Sequence, residues 1–245
     1  PLPTFGTIGV NATFLSMDDM ERTTVAEPEG TGEMFSAGSY AFGLAYSREL
    51  TDRFSIGFNF KFIHEKIFHS TANGFAFDVG TLFDTKFNGL TIGMSIANYG
   101  TKMHMSGRDM LTQIDADQSV SGNNPYINAS MNTDSYDLPL MFRVGVSMDL
   151  LKGAGNSNLL VSIDALHPNN DVEYLNLGTE YLLNNMFALR AGYKSLFARD
   201  SEQALSLGAG MQYEMAGQAI IFIEYAFQDF GILNDVQKFS ISLGF

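Results

Sequence analysis

From Phe54 the chain places Phe54, Ile56, Phe58, Phe60 and Phe62 at every second position, with Ser55, Gly57, Asn59 and Lys61 between them. Alternate residues of an extended strand point to opposite faces, so this stretch has one apolar face and one small, polar face. The pattern recurs at Leu138, Leu140, Phe142, Val144, Val146 and Met148, which alternate with Arg143, Gly145, Ser147 and Asp149. It also closes the chain, where Phe239, Ile241, Leu243 and Phe245 alternate with Ser240, Ser242 and Gly244. Period two between turn signals predicts about twelve strands. They fall near 5–15, 38–50, 53–66, 73–85, 88–98, 138–150, 158–167, 172–183, 187–195, 203–215, 218–228 and 237–245. Strands of globular proteins average about 5–6 residues, whereas membrane-spanning strands need roughly 9–11, and the second length fits better.

The links carry the other half of the pattern. Short links, Thr51–Arg53, Lys86–Gly89, Asn184–Met186 and Met215–Gly217, alternate with longer ones, and two of the longer ones, 16–37 and 99–137, are very long. Short turns at one end and long loops at the other predict an all-β, transmembrane, antiparallel up-and-down β-barrel in a bacterial outer membrane, with the long loops outside. An unstructured link of that length counts against a soluble domain. Phe239, Ile241, Leu243 and Phe245 then form a closing strand with a terminal aromatic, which reads as an insertion signal for the barrel assembly machinery. The lipid bilayer is the other partner this reading requires.

Register can be read from the tightest link. If Leu183 pairs with Phe187, then Glu180 falls opposite Arg190 and Asn176 opposite Lys194, all on the polar face. Asp164 and Arg143 share that face on neighbouring strands, as do Lys61 and Asp78 elsewhere. This lumen charge ladder of Arg143, Asp164, Glu180, Arg190, Lys61 and Asp78 reads first as structural, with ligand or plug contacts as the alternative.

Composition narrows the function classes. The 245 residues carry a formal charge of −13, which excludes nucleic acid as a partner because phosphate binding needs a basic footprint. There is no cysteine, hence no disulfide and no thiolate metal site, and 24 glycines fit a polar face where neighbouring side chains need room. His64, His69, His104 and His167 lack metal-ligand spacing. Asp109, Asp115, Asp117, Asp134 and Asp137 gather in the long link, where solvated charge is the favoured reading and a calcium site the alternative, since the EF-hand pattern is missing. Met103, Met105, Met110 and Met131 lie in the same link and suit a seal, an adaptable contact surface or ordinary packing. No nucleophile elbow, phosphate loop or dinucleotide fingerprint is present, so neither an enzyme nor a cofactor is expected.

Several stretches resemble the PorV/PorQ family of outer-membrane proteins: "GTIGVNATFLSMDDMERTT" (Gly6 to Thr24), "AFGLAYSRELTDRFSIGFNFKFIHEKI" (Ala41 to Ile67), "GFAFDVGTLF" (Gly74 to Phe83), "LTIGMSIANYGTKM" (Leu90 to Met103) and the closing "VQKFSISLGF". The resemblance runs over essentially the whole chain. It implies a FadL-like barrel of roughly fourteen strands. With about twelve strands in residues 1–245 and no Met at the start, the expectation is a single barrel domain lacking its N-terminal plug and first hairpin. It also implies a function associated with type IX secretion: a docking or shuttle platform for secreted or surface-attached proteins held by the long loops. The alternative is a FadL-like channel for hydrophobic small molecules.

Overall fold

The computed structural model describes residues 5–115, 119, 126–152, 155–197, 205–215, 219–231 and 235–244. Its first strands are β1 (Thr7–Ser16), β2 (Met20–Glu21), β3 (Met34–Phe35), β4 (Ala37–Glu49), β5 (Phe54–Ile67), β6 (Ser70–Asp84) and β7 (Thr91–Gly100). The long link that follows holds β8 (Ser106–Gly107), a 3-10 turn at Arg108–Met110, β9 (Leu111–Ile114) and β10 (Ile127–Ser130). Then come β11 (Met141–Asp149), β12 (Asn158–Pro168), β13 (Tyr174–Leu183), β14 (Phe187–Leu196), β15 (Leu205–Met215), β16 (Ala219–Gln228) and β17 (Val236–Gly244). The long strands lie in the order β1-β4-β5-β6-β7-β11-β12-β13-β14-β15-β16-β17, an antiparallel up-and-down ladder to which β8 adds beside β6. The pairs β2–β3 and β9–β10 form separate hairpins.

Turn chemistry sets several joints. Asn184 and Asn185 both have φ near +50° and Met186 N–H donates to the Leu183 carbonyl, so the β13–β14 turn is the mirror-image type that matches strand twist. That turn brings Leu183 opposite Phe187 and Glu180 opposite Arg190. The ladder slips beyond Leu177↔Tyr193, and Leu175 pairs with Leu196. Asn176 therefore does not sit squarely opposite Lys194 as the turn alone predicts. Its side-chain oxygen accepts from the Ser195 N–H, and Ser195 has φ +58°, which is where the extra residue is absorbed. Two links also depart from the short–long alternation. The β5–β6 joint is only Phe68 and His69, because both strands run past the expected turn, while 150–157 is long on the side of short turns.

The chain forms two compact units. One comprises Pro1–Ser47, Phe58–Asp78 and Ala97–Leu138. Its apolar face carries a continuous run of rings, Phe42, Phe14, Tyr40, Phe62, Phe75, Phe60 and Phe77, with successive centroids 5.5 to 6.5 Å apart. Its opposite face holds a small core of Ala72, Ala76, Met103 and Leu138, with Ile63 and Met105 packed against it.

The other unit comprises Arg48–Gly57, Val79–Ile96 and Pro139–Phe245. Here the ladder from β11 to β17 keeps one parity apolar: Val144 faces Ala165, Met211 faces Ile223, and Ile221 faces Leu243. Phe239, Ile241 and Leu243 are 60–68% exposed on that face, which water disfavours and a lipid bilayer accepts. Phe245 lies outside the described residues.

Candidate functional site

The polar parity of the strands is organised into bridges that skip a strand. Arg190 on β14 donates from Nε to Glu180 on β13 at 2.5 Å and from Nη1 to Glu224 on β16 at 2.7 Å. Reaching β16 means crossing β15, and Gly208 and Gly210 lie beneath the crossing: a Cβ on Gly208 would stand 3.4 Å from the Arg190 Cβ, and one on Gly210 3.5 Å from Nη1. Ser240 on β17 extends the bridge by donating to Glu224. The neighbouring pair Arg143–Asp164 closes at 2.5 Å.

The same construction appears between β1 and β5. Asn11 donates to Asn59 at 3.2 Å across β4, whose Gly43 faces Asn11 and has no room for a Cβ beside its amide. Asn59 donates in turn to Asp78, Lys61 pairs with Asp78 at 2.7 Å and also reaches Asn98, and the Asn98 N–H donates to Asp78 at 2.8 Å. All six ladder residues named from sequence are thus held by partners on adjoining or next-but-one strands. Removing the central cation tests this: Arg190→Met leaves Glu180 and Glu224 as unpaired anions. With the three side chains 31–40% exposed, solvent screening limits the expected cost to about 1–2 kcal/mol, read as a lower urea midpoint at unchanged slope.

Residues 101–138 are bolted onto β5 and β6. Thr101 N–H donates to the Phe75 carbonyl and its hydroxyl accepts from Phe75 N–H. Met103 and Tyr136 exchange both backbone hydrogen bonds, which closes the base of the segment. Met103 is fully buried and leans on β6 at Gly74, where a Cβ would stand 2.8 Å from its Cγ and 3.1 Å from its sulfur. β8 pairs with the start of β6, and Asp109 accepts from both the backbone N–H and the ring of His69, with Arg108 against the same ring. Desolvation acts to raise the Asp109 carboxyl, but these hydrogen bonds and the nearby cation outweigh it and hold it below the usual carboxylate value. Of the other acids in this link, Asp137 pairs with Lys102, and Asp117 lies outside the described residues.

Tyr136 provides a pH handle. Its hydroxyl donates to Glu65 at 2.6 Å, and burial, then that carboxylate, push its pKa from 10.0 up to about 12. The folded segment thus favours the neutral phenol. Its contribution is complete below pH 10.0 and is lost as pH rises through about 12. Amide exchange at 133–138 is expected to accelerate over that window, and Tyr136→Phe should remove the step.

Sequence spacing placed Leu138 at the start of a strand and no residue of 101–137 against one; β11 instead begins at Met141, and Leu138 packs against Met103, Ala72 and Ala76. The one signal was the small-residue parity Ala72, Gly74 and Ala76 on β6, which leaves a hollow that only a distant side chain can fill.

No protein-family model matches the chain, and no curated protein matches it. Among solved structures, it is similar to two crystal structures of the Pseudomonas putida toluene transporter TodX. The first is 11% identical at a TM-score of 0.53, covering 90% of this chain and 72% of that one. The second is 9% identical at a TM-score of 0.52, covering 96% and 76%. The fold is that of a FadL-like β-barrel. At this identity the likeness is one of fold, and the resemblance to PorV/PorQ gains no support from it. Within each unit the bridges lie on the polar parity of the strands, and in the first unit the 101–138 segment is tied to the same face of β6.

Proposed function

We propose that the chain is an outer-membrane channel for hydrophobic small molecules. The observation that carries this is the seating of 101–138: the longest loop is tied by backbone and side chain to β5 and β6, as a plug would be, and turns a methionine onto the strand face. The fold shared with a toluene transporter supports the same reading. Asymmetric vesicles with a lipopolysaccharide outer leaflet provide the test, because such a leaflet slows apolar solutes that cross phospholipid freely. Vesicles holding the chain should admit toluene faster than protein-free ones; equal rates would remove the proposal.

A second reading is docking of a secreted or surface protein, and one observation favours it. The β9–β10 hairpin pairs with itself, and Leu111, Ile114, Tyr126, Ile127 and Met131 at and beside it are exposed. Deleting 112–129 separates the readings. A docking platform should lose its bound protein with permeability unchanged, and a channel should keep or raise its permeability.

A further inference from the structure

On β6 one face is built almost without side chains. Ser70, Ala72, Gly74 and Ala76 share one parity and are all buried, while Asn73, Phe75 and Phe77 of the other parity are exposed. Met103 fills the hollow over Gly74, walled by Ala72, Ala76, Leu138 and Ile63. The occupant is an unbranched thioether, the side chain that most readily leaves and re-enters an irregular apolar slot. At the end of the same strip the Ser70 hydroxyl is completely covered and has no hydrogen-bond partner. Opposite it in the ladder stands Gly107, which offers no side chain. A buried orphan hydroxyl is unfavourable, and native structures rarely keep one without reason.

We infer that the β6 strip under Met103 is a binding subsite for a neutral aromatic or alkyl molecule with one hydroxyl, which enters as Met103 withdraws, lies along Ala72 towards Gly74 and takes Ser70 as its hydrogen-bond partner. This deepens, and rests on, the reading of the chain as a channel for hydrophobic molecules. A hydroxyl suits Ser70 because each can donate to or accept from the other. A carboxylate does not suit the strip, since its charge would be buried in an apolar slot with a single hydroxyl to pair it, while Arg108 is already engaged with His69 and Asp109, and Glu65 adds a negative charge through Tyr136. Phenols and alcohols are therefore selected over fatty acids.

The probe is p-cresol, with toluene and hexanoate as comparisons, bound to the full chain in detergent and followed by titration calorimetry. The chain should bind p-cresol about tenfold more tightly than toluene, as one hydrogen bond in a dry site implies, and hexanoate more weakly than either. Ser70→Ala leaves the packing of Met103 intact and should erase the preference for p-cresol over toluene. Met103→Ala frees the strip and should tighten binding of both severalfold. Equal affinities for p-cresol and toluene in the unmodified chain, or a preference that survives Ser70→Ala, overturn the assignment. Uptake into lipopolysaccharide vesicles reports the channel reading separately. Uptake with no Ser70-dependent preference refutes the subsite and leaves the channel, whereas a Ser70-dependent preference without uptake refutes the channel and leaves the subsite.

Discussion

Arginine in place of Val144 is expected to cost about 2–4 kcal/mol of stability in a bilayer. Val144 stands near the centre of the nine-residue β11, on the parity it shares with Phe142 and Val146, and its partner across the ladder is Ala165. A guanidinium there has no acceptor within the hydrocarbon and must either reach for the interface or draw water inward. Urea titration of the chain folded in lipid vesicles measures the loss. Ser147→Arg is the control, because Ser147 lies on the polar parity opposite Ser162 and its substitution should cost much less. Equal costs would show that the two faces do not differ in environment, and a larger cost at Ser147 that they have been assigned the wrong way round.

Gly100→Ala should be comparably damaging for a different reason, at roughly 3 kcal/mol or more. A Cβ at this position overlaps the Phe75 carbonyl oxygen and falls 2.9 Å from the Ala76 Cα. Neither is the flexible end of a side chain, so the end of β7 must pull away from β6. The hydrogen bonds between Thr101 and Phe75 open with it, and Met103 is two residues further on. The expected result is a lower urea midpoint together with rapid proteolysis within 101–138. A variant whose long segment stays protected would mean that the strand end does not anchor it.

What was legible in the sequence and what was not follows the range of the interactions. All twelve long strands were visible, because period two is a local property that one apolar and one polar face impose at every residue. The pair Glu180–Arg190 was legible for the same reason, as two asparagines fix the turn that sets it. The slip at Asn176 was not, since it depends on Ser195 adopting a positive φ that serine shows only under constraint. The tight Phe68–His69 joint was hidden too, because strands extended by β8 and by the 101–138 segment owe their length to residues some forty positions away. The methionines of the long link were noticed, but nothing local distinguishes Met103, fully buried, from Met131, which is exposed. Only the arrival of the link on Gly74 separates them.

The skipped-strand bridges bear on how the sheet comes apart. A ladder joined only between neighbours can unzip from an edge, each strand leaving at the cost of a single seam. Because Arg190 holds Glu180 and Glu224 across β15, and Asn11 holds Asn59 across β4, withdrawing one strand at these places breaks a seam and a tether together. Peeling then has to proceed in blocks of several strands, so the glycines that make room for the tethers act as couplings between successive steps of disassembly.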